Sequence, residues 1–309
     1  MKKPMLMRGI AVLCLTALIL PFSACSGGKQ EKGKKAIVVT YSILGSVVKD
    51  LVGDSFEVIV EMPNGADPHE WEPSARDIEA LNNAALVVTN GLGLEEAMAG
   101  ALEGARAKGV KVFTASDHIA VRKVGAGEGI PSGDPDQAAG ASDPHLWTDP
   151  VAMESIVTSL AATLKSDFGV DLAQRRDDLL ARLAALDKEV GDKVAALPAE
   201  RRVLVTGHES MGYFAQRYGF KLVGAAVPGL SSQAEASAAE LSDLKTKINA
   251  NRVPAIFVEL GENPNIARTL ATETGAEPVP LTTHALPEGG DYFAFIRELA
   301  GTITAALGK

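Results

Sequence analysis

The chain holds five histidines, His69, His118, His145, His208 and His284. Two of them sit in near-identical pentapeptides, Asp67-Pro68-His69-Glu70-Trp71 and Asp143-Pro144-His145-Leu146-Trp147. Neutral imidazole is the commonest protein ligand for zinc and suits other divalent transition metals. A residue before proline is biased toward extended backbone, so each Asp-Pro step argues for a loop and not a helix interior. The chemistry on offer is metal coordination from two separate loops, each beside a Trp large enough to shield a site from water. The competing reading is a recurring turn with a packed aromatic. His118, in Ser-Asp-His-Ile, has no companion and reads as a surface or packing residue. A zinc hydrolase would need an open coordination position and a general base. Glu70 and Glu209 each follow a histidine and could be nominated for that role, but no helical motif pairs two histidines with a glutamate.

The elements that must position these residues alternate strand and helix. Residues 36–44 are apolar and β-branched, as a buried parallel strand should be. Residues 56–62, 85–90 and 111–115 read as further strands, with helices over 45–52, 74–83 and 94–108 between them. Residues 125–142 are rich in Gly, Pro, Asp and Ala and read as a loop. Its Glu128, Asp134 and Asp136 could gather cations loosely, against the plainer reading of a solvated loop. Asp149-Pro150 makes a cap and first-turn pair for a helix to about residue 165. A second long helix over 171–197 carries Leu179, Leu183, Leu186 and Val190 at helical spacing. Strands are expected again at 202–206, 221–227, 255–260 and 277–282, with helices at 236–248, 265–274 and 291–307.

The fold class is therefore α/β: two lobes, each a parallel sheet flanked by helices, joined by one long connector helix. The expected division is an N-terminal lobe at 36–170, the connector at 171–197 and a C-terminal lobe at 198–309. In such sheets ligands bind beyond the carboxyl ends of strands. His69, His145, His208 and His284 all follow strand ends or lie in the loops leaving them, two in each half.

The first residues read as export machinery. Lys2, Lys3 and Arg8 precede an apolar run over 9–21, too short for a membrane anchor. Phe22-Ser23-Ala24-Cys25 then resembles a bacterial lipobox, with Phe22 where Leu is usual. The expectation is a signal peptide at 1–24, lipidation of Cys25 and a flexible tether at 25–35. Cys14 and Cys25 are the only cysteines, so the mature domain can form no internal disulfide and do no thiolate chemistry. The formal charge of −9 becomes about −12 once the three basic residues of the signal are removed. That balance argues against nucleic acid and anionic membrane surfaces as partners. It suits a soluble, monomeric body held outside the cytoplasmic membrane, in the periplasm or at the cell surface, by its lipid.

At these residues the chain resembles the zinc- and manganese-binding solute-binding proteins of bacterial ABC transporters, the class often called cluster A-I. The resemblance is carried by GADPHEWEPSARDIEALNNAALVVTNGLGLE (residues 65–95), DPHLWTDP (143–150), TGHESMGYFAQRYGF (206–220) and VPAIFVELGENPNIARTLATETGA (253–276). It implies two α/β lobes joined by a long helix, capture of Zn²⁺ (alternatively Mn²⁺ or Fe²⁺), delivery to a membrane permease, and no covalent chemistry. His69, His145 and His208 match three family ligands. The fourth is usually an Asp in the loop after the last strand. Here that loop reads LTTHALPEGGDYF, and His284 stands nearest the place, with Thr283 an alternative alignment and Glu288 and Asp291 the runners-up. Manganese-type members tend to carry a carboxylate at the third position, so His208 points to zinc. The His-rich loop of many zinc members is missing, as is the disulfide of some. An adhesin-like role on the same fold is a further alternative. Asp67, Asp143 and Glu209 are the candidates for orienting the ligand rings.

Overall fold

The first sheet forms around β1 (Ala36–Val39), whose three last residues are fully buried. The computed structural model describes residues 34–125, 128, 139–259 and 264–309. The proposed signal peptide, Cys25, Asp134 and Asp136 lie outside them. β1 pairs in parallel with β2 (Glu57–Val60) on one side and β3 (Leu86–Thr89) on the other, and β3 pairs with β4 (Lys111–Thr114). The order is β2-β1-β3-β4. Parallel neighbours require crossovers. Here they are helices α1 (Ser42–Val52), α2 (Ala75–Asn83) and α3 (Ala99–Ala107).

The expectation of one strand over 36–44 is corrected. Ser42, Ile43 and Leu44 form the first turn of α1. A continuous buried apolar run has no period to divide strand from helix. Residues 94–98 likewise begin not as α-helix but as a turn with a 3₁₀ segment at Glu96–Met98. Ser74 caps α2 through a reciprocal box: its hydroxyl accepts from the Asp77 backbone N–H, and the Asp77 carboxylate accepts from that of Ser74.

Asp149 caps α4 (Pro150–Phe168) by accepting from the Val151 N–H at 2.9 Å, with proline at the first helical position. α4 ends on Gly169 in the left-handed conformation and packs along α5 (Ala173–Ala195). In the second half β5 (Val203–Thr206) pairs in parallel with β6 (Lys221–Ala225), and β7 (Ala255–Glu259) with β8 (Glu277–Leu281). β5 also runs beside β7. Helices α6 (Gly212–Tyr218), α7 (Ala238–Asn251) and α8 (Pro264–Thr274) accompany these strands. α6 went unread in the sequence: its seven residues are too few to display a helical period.

The last helix, α9 (Tyr292–Leu307), does not stay with its own half. It packs on α5 and α1 and buries Phe295, Ile296, Leu299 and Ile303 there. The main core accordingly runs unbroken from the first sheet through α1, α4, α5 and α9. A smaller apolar cluster under α7 and α8, with Val205, Leu244, Ile256 and Leu270, is separate from it. Lys34–Lys309 is one compact unit. The α/β fold with parallel sheets flanked by helices is as expected.

Candidate metal centre

Four loops deliver four histidines to one place. The chain leaving β2 reaches His69, and the chain leaving β5 reaches His208 two residues later. His284 lies three residues past β8, and His145 comes just before the 3₁₀ turn Leu146–Thr148 that leads into α4. One ring nitrogen from each of the four lies within 4.8 Å of all the others. His145 and His208 are fully buried, while His69 and His284 are half-buried.

The Asp-Pro-His motif acts locally in both copies. Asp67 accepts the backbone N–H of His69 at 2.9 Å, and Asp143 accepts that of His145 at 2.9 Å. Each is an Asx turn that fixes the histidine's backbone. Asp143 does more, because the same Oδ1 lies 2.9 Å from Nδ1 of the His145 ring. At His208 the corresponding carboxylate is Glu259, the last residue of β7, 3.1 Å from Nδ1. Glu259 is buried and also accepts from the hydroxyls of Ser210 at 2.7 Å and Thr283 at 2.6 Å.

An ionised carboxylate only accepts hydrogen bonds. Nδ1 of His145 and of His208 must therefore carry the proton, and Nε2 of each neutral ring is a bare lone pair. Those two Nε2 atoms face each other at 3.1 Å, and His69 Nε2 lies 3.3 Å from His145 Nε2. Lone pairs at such distances repel, and a shared cation relieves the repulsion. Nε2 of His284 is buried without a hydrogen-bond partner, while its Nδ1 lies 3.2 Å from the Thr283 hydroxyl.

Burial favours the neutral form of three of the rings. It pushes the pKa of His69 and His145 well below the ordinary histidine value, and the neighbouring imidazoles push the same way. His284 falls to about 4, from burial first and then the field of His208. Burial raises Asp143 to about 6, although the Arg122 guanidinium, 3.1 Å from its Oδ2, opposes the rise. For Glu259 burial would raise the pKa, but the field of the His208 Nδ1–H and its hydrogen bond outweigh it, with help from the Thr283 hydroxyl, and lower the carboxyl to about 2.

Trp147 shields the site as expected. It is fully buried, its ring lies 5.3 Å from that of His145 and 5.6 Å from that of His284, and its indole N–H donates to the Thr283 carbonyl at 2.8 Å. Trp71 is only half-buried. His118 is exposed and stacks on Phe113 at 4.3 Å, away from the cluster.

The other nominees are placed elsewhere. Asp291 caps α9 through the Ala294 N–H, and Glu288 is exposed. Thr283 is engaged with Glu259. Glu70 is exposed and accepts from Gln233. Glu128 pairs with Arg122, so it is committed to a buried cation of the protein. Glu209 was expected beside the His208 ring, but Glu259 stands at Nδ1. The Glu209 carboxyl is buried with Oε1 unpartnered, and burial raises its pKa to about 7. Glu259 went unread because it lies 51 positions from His208 in a strand; its one signal was an acidic residue ending an apolar run.

Over residues 37–306 the chain matches the family described as ZnuA: zinc-uptake complex component A, periplasmic. It belongs to that family. It is 31% identical over 298 residues to the zinc-binding protein TroA of Treponema pallidum (strain Nichols), covering 94% of this chain and 90% of that protein. It is 30% identical over 277 residues to the high-affinity zinc uptake system protein ZnuA of Bacillus subtilis (strain 168), covering 84% and 82%. The manganese ABC transporter substrate-binding lipoprotein PsaA of Streptococcus mitis is 28% identical over 96% of this chain and 97% of its own length. The solved structure of the periplasmic zinc binding protein TroA from Treponema pallidum matches with a TM-score of 0.76 at 30% identity, over 89% of this chain and 99% of that one. Coverage of this extent means that the whole fold is shared, not a ligand loop alone. The family read from the sequence is thereby borne out. Zinc and manganese names both occur among the relatives, so the metal must be argued from the ligand atoms.

Proposed function

We propose that this protein captures a divalent transition metal outside the cytoplasmic membrane, zinc in preference to manganese, and hands it to the permease of an ABC transporter. The observation that carries the reading is the convergence of four ring nitrogens within 4.8 Å, on His69, His145, His208 and His284. Tetrahedral zinc with bonds of about 2.0–2.1 Å sets its ligand atoms about 3.3–3.4 Å apart. Two of the nitrogen pairs already stand at 3.3 and 3.1 Å. An all-nitrogen set favours zinc, while manganese prefers more oxygen. Asp143 and Glu259 orient two of the rings, as outer carboxylates commonly do for metal-bound histidines.

The cargo is held, not transformed. Four protein ligands close the coordination shell and leave no position for a reactive water. Neither Glu70 nor Glu209 belongs to the cluster. Two lobes meet at the metal, 36–170 and 198–309, and α5 links them as a rigid spacer. Cys25 carries the lipid, and the mature protein works as a monomer tethered to the membrane. The test is elemental analysis of the natively purified protein, with Zn²⁺ and Mn²⁺ in competition. One equivalent of zinc retained against excess manganese is expected. Manganese occupancy that survives added zinc would overturn the metal assignment, and absence of any bound metal the function.

A further inference from the structure

The loop that carries His69 is fastened to the second half of the chain on both sides of the ligand. Upstream, the Asn64 side chain donates from Nδ2 to the Leu286 carbonyl at 2.9 Å and accepts the Leu286 N–H on Oδ1 at 2.8 Å. That reciprocal pair joins the His69 loop to the loop bearing His284. Gly65 suits the turn that follows, because its φ of +87° lies in the left-handed region that favours glycine. Downstream, Glu70 accepts from the Gln233 side chain, in the segment after β6. Asn64, Glu70 and Gln233 are all exposed, and Asn64 borders a cleft of about 630 Å³ between α1 and the segment after Leu286. Hydrogen bonds open to water exchange readily with solvent, so such fasteners hold a loop without locking it.

We propose that Asn64 and Glu70 are positioning residues, a two-point clasp that keeps the His69 loop closed over the bound metal and sets its rate of release. The clasp contributes no ligand atom and touches none of the four rings, so it acts on escape and not on coordination. This rests on the four histidines holding the cargo.

The experiment is stopped-flow transfer of zinc from the full-length protein to excess EDTA, for wild type, N64A, E70A and the double variant. The double variant should release zinc at least about tenfold faster, equivalent to about 1.4 kcal/mol, with the association rate within about twofold of wild type and X-ray absorption still showing four nitrogens. E70Q, which keeps the oxygen that accepts from Gln233, should restore the slow release lost in E70A. N64D, which puts an acceptor opposite the Leu286 carbonyl, should behave like N64A. An unchanged release rate in the double variant, or an altered coordination shell, overturns the clasp. Hydrogen exchange on the metal-free protein reads it without cargo: the Leu286 amide should exchange about tenfold faster in N64A, and equal exchange would sink the proposal. Wild type that binds no zinc would refute the proposed function instead.

Discussion

Replacing Glu259 by Gln should weaken zinc binding by roughly 10–100-fold, about 1.4–2.7 kcal/mol. The residue touches no metal; its effect runs through His208. Its pKa, lowered from 4.5 to about 2, corresponds to about 3 kcal/mol of preference for the charged carboxylate in the folded site. The attraction of that charge for a bound divalent cation adds to it. A glutamine keeps the shape. Its oxygen can still accept from His208 Nδ1 and Thr283, and its amide can donate to Ser210, whose hydroxyl can turn to accept. The hydrogen bonds should therefore survive. What disappears is the negative charge that raises the basicity of the ring opposite the metal.

The sign with pH follows from the same shift. The folded value lies below the ordinary one, so the stabilisation is fully present above pH about 4.5 and is lost as pH falls toward 2. An experiment at pH 7 reads all of it. The assay is competition against a chelator of known affinity, with thermal unfolding of the metal-free protein measured in parallel. Thr283→Val removes a neutral donor to the same carboxylate and should cost less, about 0.5–1.5 kcal/mol. Wild-type affinity in E259Q, or a larger loss in T283V than in E259Q, would refute the reasoning that the carboxylate acts by its charge.

Alanine at His69, His145, His208 or His284 should each weaken zinc at least about tenfold, about 1.4 kcal/mol, while His118→Ala leaves titration calorimetry unchanged. Arg122→Met should let the Asp143 carboxyl, already at about 6, rise through neutral pH, so that it can no longer serve as an anionic acceptor for the His145 ring. Zinc affinity in that variant should fall below wild type at pH 7 and fall further by pH 6, read by chelator competition across that range. His284 is held at about 4, below its ordinary 6.5, so folding favours its neutral form. Its stabilisation is present above pH about 6.5 and is lost as pH falls toward 4, by roughly 3 kcal/mol. Denaturant unfolding of metal-free protein at pH 7 and pH 5 should show wild type losing more stability than His284→Ala; equal losses would count against a buried neutral ring.

The four proposed ligands are legible because their signals are local. An Asp-Pro-His turn needs five consecutive residues to announce itself, and the Asx hydrogen bonds of Asp67 and Asp143 are formed within two residues of the histidine they fix. His208 and His284 could be placed because strands β5 and β8 end beside them. What supports those ligands is a different matter. Glu259 meets His208 across two neighbouring strands, and Arg122 reaches Asp143 across a 21-residue excursion. The Trp147 indole donates to Thr283 over 136 positions. The first arises where strands β5 and β7 lie side by side, and the second where the ends of one loop meet at an antiparallel bridge between Lys123 and Ser142; no single stretch of sequence declares either. The same physics explains α9. Its apolar face was readable, but the surface that covers it belongs to α1 and α5, and only closure of the chain decides that. A metal carrier needs both kinds of information. Local turns aim the ligand candidates, while two carboxylates, Asp143 within the motif and Glu259 across the fold, fix which nitrogen carries the proton. The bare Nε2 pair of His145 and His208, 3.1 Å apart, arises from the two acting together. His145 owes its tautomer to the carboxylate of its own motif and His208 to one brought up by the tertiary fold, so the affinity of the site depends on both.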